Sequence, residues 1–278
     1  MKTHAHALPN ESTLRQPVWY IPHGGGPCFF MDWNPPDAWQ AMERFFKGIP
    51  AQLTHSPQAI VCVSAHWIEP VFGIGSGEKP GLIYDYSGFP PHTYRLQYPA
   101  PGAPWLAERI AELLGVAGIP AHRHPTRGFD HGMFIPLKVI FPKADIPVVQ
   151  LSLLTSLDPG AHLQAGRALA PLRDEGVLII GSGMSFHNMR GYGDPRFGPV
   201  SEVFDQWLTS TVAAEAELRA ERLIHWEQAP AARLCHPPHA EEHLLPLMLI
   251  AGAAKADRGQ RLFSDRVMET TLSAFRFG

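Results

Sequence analysis

The chain has 278 residues, of which 45% are apolar and 18% are charged, a composition typical of a soluble globular protein that buries its own core. The formal net charge of −3 and the lack of any cluster of lysine and arginine argue against nucleic acid and acidic membranes as partners. Three cysteines far apart in the sequence, without a CxxC pair, argue against a disulfide framework and fit a reducing cytoplasm. We recognise no signal peptide and no apolar run long enough to span a bilayer, and therefore expect a cytoplasmic protein.

Residues 1–16 are polar and aperiodic, and we expect them to form a loose tail in which His4 and His6 are solvated. The remainder, 17–278, shows no repeat or linker and is treated as one catalytic domain. Short apolar runs, rich in β-branched residues and bounded by glycine, proline or polar residues, predict buried strands. These runs cover residues 18–22, 59–64, 146–154 and 177–181.

Stretches with apolar positions at helical spacing alternate with these runs and predict helices over 105–114, 162–172 and 203–220. Residues 70–102, rich in glycine, proline and tyrosine, predict a long loop or an excursion of the sheet. Strands that are apolar without alternation are covered on both faces, which favours parallel pairing. The chain is therefore predicted to be α/β, with a central, mostly parallel (mixed) sheet flanked by helices and an active site at the carboxyl ends of the strands.

Four of the fifteen histidines stand where a parallel sheet would gather them at one edge. His23 directly follows the first predicted strand, and His66 comes two residues after the second. His187 lies six residues past the fourth, and His243 precedes an apolar helix whose first turn accommodates Pro246. Because ligands bind at the carboxyl ends of such strands, we expect these imidazoles to meet at a metal ion. Neutral imidazole suits zinc, iron, copper and nickel.

The segment HGGGP, residues 23–27, removes side-chain bulk just after the first of these histidines. Its glycines would let substrate or backbone approach the metal closely, and it lacks the pattern of a phosphate-binding loop. His131 is a fifth candidate. Asp130 could cap a helix that begins near Met133, which would leave this imidazole at the positive end of the helix.

Six ordered motifs across the chain resemble the LigB superfamily of class III extradiol ring-cleavage dioxygenases, in particular its 4,5-DOPA dioxygenase-like branch. They are HGGGP (23–27), VSAHW (63–67), YPAPG (98–102), GFDHGMFIPL (128–137), GSGMSFHN (181–188) and EEHLLPL (241–247). The resemblance implies a non-haem Fe(II) enzyme that opens the ring of a catechol, DOPA-like or otherwise substituted, and inserts both atoms of O₂.

By this resemblance His23 and His66 match the two metal histidines. The third ligand of the wider superfamily is a carboxylate, whereas the DOPA dioxygenase-like branch has a histidine at this place, so we expect His243 first and Glu242 second. Neighbours on a helix point about 100° apart, and we do not expect both to face the metal. A site so rich in histidine could also hold Zn(II) in the purified protein.

The resemblance also implies that His187 is the active-site base, or a fourth metal ligand, and that His131 holds oxygen or returns a proton. An apolar, aromatic wall should hold the substrate ring. The candidates beside the motif histidines are Phe29, Trp67, Phe134 and Phe186, with Tyr94 or Arg127 as a polar anchor for a substituent.

Two further functions stay open from the residues alone. Histidine ligands beside an open coordination position would equally serve a zinc-dependent hydrolase, because zinc lowers the pKa of bound water. A binding protein that keeps the fold without catalysis is the second alternative. The presence of all five candidate histidines argues against this second alternative. The dioxygenase implied by the resemblance would have a catechol and O₂ as its small-molecule partners.

Overall fold

An eight-stranded mixed sheet forms the centre of the computed structural model, which describes residues 14–278. In chain order its strands are β1 (Val18–Pro22), β2 (Ala59–Glu69), β3 (Phe72–Gly75), β4 (Ala121–His124), β5 (Val148–Leu154), β6 (Val177–Gly183), β7 (Gly259–Val267) and β8 (Thr270–Phe277). Across the sheet they lie in the order β4-β3-β5-β2-β6-β1-β8-β7.

The middle of the sheet is parallel and buried. β1 pairs with β6, and β2 pairs with both β5 and β6, all in parallel register. Every residue of β1 and β6 is buried, which explains why their sequences are apolar without alternation. β8 and β7 extend one side in antiparallel register, and β3 joins β5 antiparallel on the other. The predicted α/β fold with a mostly parallel, mixed sheet is confirmed.

Helices flank this sheet, and none of those within the described residues is long and apolar enough to cross a membrane. The first four are α1 (Gln40–Gly48), α2 (Pro104–Val116), α3 (His131–Ile140) and α4 (Pro159–Leu169). The next four are α5 (Phe197–Val212), α6 (Ala216–Ile224), α7 (Ala232–Cys235) and α8 (Leu245–Ala253). α8 is buried along its whole length and packs against α4. Gly166 and Gly252 leave room there for the two backbones to touch.

Residues 203–220, predicted as one helix, belong to two. α5 ends at Val212 and α6 begins at Ala216, with Glu215 in extended backbone between them. α6 packs against α4, α5 and α8, so its apolar positions keep helical spacing although the chain has changed direction. The predicted helix over 162–172 is likewise α4 followed by a 3₁₀ turn, Ala170–Arg173.

Four strands do not follow the pattern of unbroken apolar runs. β4 and β7 form the two edges of the sheet and contain exposed positions, so their sequences are too polar to stand out. β3 is only four residues long and lies within the predicted excursion. β8 pairs with the hairpin strand β7 and completes the side of the sheet next to β1.

The last two residues of the predicted tail, Arg15 and Gln16, contact the domain. Arg15 pairs with Asp174 at 2.6 Å. Gln16 is 2% exposed and exchanges backbone and side-chain hydrogen bonds with Arg173. These residues are therefore anchored to the domain, because the buried Arg173 guanidinium needs acceptors. His4 and His6 lie outside the described residues.

Candidate active site

Three histidines meet at the carboxyl edge of the central strands. His23 follows β1 by one residue, and His243 lies two residues before α8. His66 lies inside β2, which is longer than the predicted run and whose pairing with β5 shifts register between Val63 and Ile68. Such an irregularity re-aims side chains within a strand, and it places the imidazole of His66 beside that of His23.

Each of the three imidazoles brings a ring nitrogen to a common point. The candidate ligand atoms of His23, His66 and His243 all lie within 4.8 Å of one another. The Nε2 atoms of His23 and His66 are 3.1 Å apart, and the His243 ring centroid lies 5.1 Å and 5.0 Å from the other two. The structure therefore brings together residues that are distant in the sequence.

The outer nitrogens of His23 and His66 face acceptors. Ser182 donates its hydroxyl to the carbonyl of Gly132, so it accepts from Nδ1–H of His23 at 3.2 Å. Asp85 Oδ2 lies 3.5 Å from Nδ1 of His66. With a proton on each Nδ1, both Nε2 atoms carry lone pairs, and two lone pairs facing each other repel unless a cation lies between them.

His243 is oriented by its own neighbour in the sequence. Nδ1 of His243 lies 2.8 Å from Oε1 of Glu242, which leaves Nε2 as the free nitrogen. We expected the two side chains to diverge as on a helix, but residues 242–244 form a turn ahead of α8, and there neighbouring side chains can touch. Glu242 thus supports the His243 imidazole, as carboxylates commonly do for metal-binding histidines.

His187 stacks on His243, with ring centroids 3.3 Å apart and planes inclined by 16°. Its Nδ1 lies 3.6 Å from Oε1 of Glu242 and, among residues 14–278, has no hydrogen-bond partner although it is buried. Burial lowers the pKa of His187 to about 4. A neutral imidazole with an uncommitted nitrogen suits both of its expected roles, base or fourth ligand.

His131 is held by an aspartate that sequence reasoning missed. Both its backbone nitrogen and its Nδ1 lie 2.9 Å from Oδ1 of Asp85, and its ring centroid is 4.0 Å from that of His66. The helix begins at His131, two residues before the expected start. Asp130 occupies the capping position but makes no cap hydrogen bond, because its carboxylate accepts instead from Ser64 at 2.7 Å.

The electrostatics of the cluster favour neutral imidazoles. Burial, followed by repulsion from the neighbouring histidines, lowers the pKa of His23 and of His243 well below the usual value. The same causes lower the pKa of His66 to about 3. Burial opposes ionisation of Asp85, but hydrogen bonds and charge from His131 outweigh it and lower the pKa of the carboxyl group. Metal ligation requires deprotonated imidazole, so this donor set is ready for a cation.

A cavity of about 410 Å³ opens above the histidines, a size suited to a small-molecule substrate. Its floor consists of His23, His66, His131, His187 and His243. Its walls consist of Gly24, Gly25, Gly26, Trp33, Trp39, Tyr86, Ser87, Phe89, Met184, Met189, Tyr192 and Met268. At Gly26, where φ is +55°, a Cβ would lie 2.7 Å from the Phe89 ring, so the glycine run lets an aromatic wall close over the loop.

Trp67, expected in the ring-binding wall, does not line this cavity. Successive side chains of a strand point to opposite faces, so Trp67 turns away where His66 turns in. Its indole nitrogen donates to Glu69 at 2.9 Å, and the guanidinium of Arg127 lies 4.4 Å from its ring centroid. Arg127, proposed with Tyr94 as a possible polar anchor for a substituent, also pairs with Asp130 at 3.2 Å. It does not line the cavity either.

The other expected wall residues lie one layer behind the cavity. Phe29 packs on Trp39, Phe186 packs on Tyr192, and Tyr94 packs on Tyr86. Phe134 is likewise buried behind the wall, against Tyr84. Proximity to a motif histidine in the sequence selected Phe29, Phe134 and Phe186, but the aromatic side chains that line the cavity come from other positions: Trp33, Trp39, Tyr86, Phe89 and Tyr192.

Known proteins with this sequence pattern identify the family. The model of the catalytic LigB subunit of aromatic ring-opening dioxygenase matches residues 18–275. The dioxygenase tasH of Hapsidospora irregularis is 36% identical, over 94% of this chain and 85% of its own length. The 4,5-DOPA dioxygenase extradiol of Beta vulgaris is 37% identical, over 88% of this chain and 89% of its own. Its namesake in Escherichia coli K12 is 34% identical, over 87% and 86%.

A solved structure gives the same answer for the fold. The crystal structure of an uncharacterized protein from Escherichia coli K12 matches with a TM-score of 0.75 and 30% identity, covering 95% of this chain and 100% of that one. The resemblance drawn from the six motifs is thereby confirmed. The chain belongs to the LigB family of aromatic ring-opening dioxygenases and is an extradiol dioxygenase.

Proposed function

We propose that this dioxygenase uses Fe(II), held by His23, His66 and His243, to open the ring of a catechol with O₂. The observation that carries the proposal is the way in which the two nitrogens of each of the three imidazoles are directed. Each has Nδ1 directed at an oxygen of Ser182, Asp85 or Glu242, and each has its other nitrogen available at the common point. Three imidazoles beside an open cavity suit a metal that must also bind substrate.

The donor set fits such an ion. Nitrogens that bind a metal at about 2.0–2.1 Å in adjacent positions lie about 3 Å apart, and the Nε2 atoms of His23 and His66 are separated by 3.1 Å. The histidine lining of the cavity floor leaves the side toward the cavity open to substrate. Iron, when bound, would supply the redox chemistry that lets O₂ react with an aromatic ring. Fe(II) also suits a reducing cytoplasm, where we place the protein.

The chain itself would position the ring and move the protons. The aromatic walls hold the catechol with its hydroxyls toward the histidine floor, which replaces an encounter in solution by a fixed arrangement. His187, neutral and lining the floor, accepts a proton from one hydroxyl of the diol. His131 donates Nδ1–H to Asp85, which fixes the orientation of its ring, and it lines the floor, so we propose that this residue returns a proton during ring opening.

Metal replacement tests the proposal. Protein stripped of metal by a chelator under anaerobic conditions is reloaded with Fe(II) or with Zn(II) and mixed with aerated buffer and a panel of catechols. We expect the iron form to take up one O₂ for each ring opened, measured with an oxygen electrode and by the yellow colour of the semialdehyde. We expect no oxygen uptake by the zinc form. A protein that hydrolyses esters with zinc and consumes no O₂ with iron would contradict the proposal.

A further inference from the structure

The cavity above the histidines is lined without a single formally charged side chain among the described residues. The carboxylates of Asp85 and Glu242 stand behind the imidazoles and are occupied with His131 and His243. No lysine or arginine reaches the wall. A carboxylate on the side chain of a substrate would therefore lie against a partly buried wall in which no side chain offers a counter-charge, because the proposed iron lies at the floor, where it would bind the diol. Such burial is unfavourable.

Three polar side-chain groups of the wall are already committed to hydrogen bonds with the backbone. The hydroxyls of Tyr86 and Tyr192 donate to backbone carbonyls at 2.7 Å and 2.8 Å. The indole nitrogen of Trp33 donates to another carbonyl at 2.9 Å. The rings of these residues consequently present apolar surface to the cavity. The polar side-chain groups left on the wall are the hydroxyl of Ser87 and the indole N–H of Trp39, which is buried and has no hydrogen-bond partner among the described residues.

Three methionines, which we call the methionine collar, complete the wall: Met184, Met189 and Met268. Met184 is buried, whereas Met189 is 71% exposed and Met268 is 38% exposed. Large apolar side chains exposed at the mouth of a cavity mark a surface that takes up an apolar group. Methionine is also flexible enough to adapt to chains of different shape.

The backbone at Met268 adopts an uncommon conformation. Met268 and Glu269 form the turn between β7 and β8, with φ of +46° and +70°. Asparagine or glycine is the usual choice where two successive residues have positive φ. The carbonyl of Met268 accepts from Gly193 at 2.7 Å, which ties the turn to the segment that carries Met189. Strain of this kind at a cavity is a feature of functional sites.

We propose that the substrate is a catechol with an uncharged, apolar substituent, which the methionine collar holds, rather than one with an amino-acid or carboxylate side chain. This inference rests on the proposed catechol dioxygenase function. It also separates this chain from the substrate printed in the names of its 4,5-DOPA dioxygenase relatives.

Substrate comparison tests the inference. kcat/KM of the iron-loaded enzyme is measured for catechol, 4-methylcatechol, 4-propylcatechol, 3,4-dihydroxybenzoate and DOPA. We expect an increase of about fourfold for each methylene that the collar buries. Both charged catechols should fall at least about tenfold below 4-propylcatechol. A charged catechol that equals or exceeds 4-propylcatechol would overturn the inference.

Binding in the absence of O₂ distinguishes this inference from the proposed function. Affinities of the same compounds for the iron-loaded protein are measured anaerobically by quenching of tryptophan fluorescence, since Trp33 and Trp39 line the cavity. Tighter binding of 4-propylcatechol than of either charged catechol supports the proposed role of the methionine collar even if no ring is opened afterwards. Equal or reversed affinities contradict the collar even if catechol itself is turned over.

A charge added at the rim provides the matched variant. Met189→Arg changes an exposed side chain and should raise the ratio of kcat/KM for 3,4-dihydroxybenzoate over 4-propylcatechol by about tenfold or more. Val116→Arg, at an 86% exposed position in α2 outside the cavity, is the control and should leave the ratio unchanged. An unchanged ratio in a folded Met189→Arg protein, or an equal rise in the control, would count against the collar.

Discussion

The floor and the walls of the cavity are built in different ways. The imidazoles of His23, His66 and His243 come from the end of β1, from β2 and from the turn before α8. They are fixed by buried backbone and by hydrogen bonds on their outer nitrogens. The walls come from the turns after the strands, from the excursion over 70–102 and from the turn between β7 and β8. The comparison indicates that the reaction is determined by the sheet and substrate choice by the loops.

Removal of a floor imidazole should have the largest effect. In His66→Ala we expect the loss of stoichiometric metal and of all measurable turnover, because two remaining imidazoles cannot replace the missing ligand. Metal per chain is measured by elemental analysis, with His55→Ala, at an exposed position, as the control. Full metal occupancy in His66→Ala would show that this imidazole is not a ligand.

Replacement of His187 separates a base from a ligand within the same floor. We expect His187→Phe to keep its metal and to lose about 10²–10⁴-fold in kcat, the usual contribution of a positioned general base. Metal content and single-turnover rates are measured on the same preparation. If the metal is lost before turnover falls, His187 is chiefly a fourth ligand.

Asp85 contacts imidazoles of the floor and directly precedes the wall residue Tyr86. Its replacement should reduce metal affinity or turnover less than the replacement of a floor imidazole. Asp85→Asn keeps the size of the side chain but removes the charge near His66 and His131. We expect metal affinity or turnover to fall by about 10–100-fold, as for other residues that support ligands, measured by metal titration and steady-state kinetics. Asp37→Asn, at an exposed position, is the control. Unaltered affinity and turnover in Asp85→Asn would show that the carboxylate is dispensable.

His162, a buried histidine outside the cavity, provides a contrast with the imidazoles of the floor. His162 accepts from the backbone of Leu154 through Nε2 at 3.1 Å, and its Nδ1 bonds to the carbonyl of Asp158 at 2.7 Å. Both nitrogens are thus used inside the protein, whereas the imidazoles proposed as metal ligands each keep one nitrogen free. Burial lowers the pKa of His162 to about 4, so the unfolded chain binds more protons than the folded one between about pH 4 and 6.5.

The free energy of unfolding should therefore rise with pH across this window and fall as the pH drops through it. The contribution of His162 between pH 7 and pH 5 is about 2 kcal/mol. His162→Gln, which cannot titrate, should show a correspondingly shallower dependence in urea unfolding at the two pH values. Identical dependence in both proteins would mean that His162 is not held neutral.

The sequence predicted the floor better than the walls for a physical reason. His23, His66 and His243 stand beside apolar runs that only a buried strand or helix explains, so their positions follow from the sheet. Trp67, expected in the wall, does not line the cavity because alternation along β2 turns it away, and the predicted end of that strand at residue 64 concealed this. Asp85 lies in a segment without periodicity, where no local pattern indicates which side chain faces inward.

The methionine collar escaped prediction for a related reason. Met268 belongs to a hairpin whose strands are partly exposed and too polar to be recognised, and its closeness to the histidines is created by the pairing of β8 with β1. Resemblance to a family supplied the roles of the histidines, because residue type and order are enough to match them. It did not supply the wall, whose aromatic residues lie between the motifs.

The dual role of Asp85 constrains how this enzyme can diversify. One carboxylate contacts two imidazoles of the floor and belongs to the same segment as Tyr86 and Phe89. Insertions or replacements in that segment would therefore disturb the proposed metal site together with the proposed substrate pocket. The turn at Met268 contributes a side chain to the wall but none to the floor. Relatives that accept new ring substituents are therefore expected to differ first at this turn.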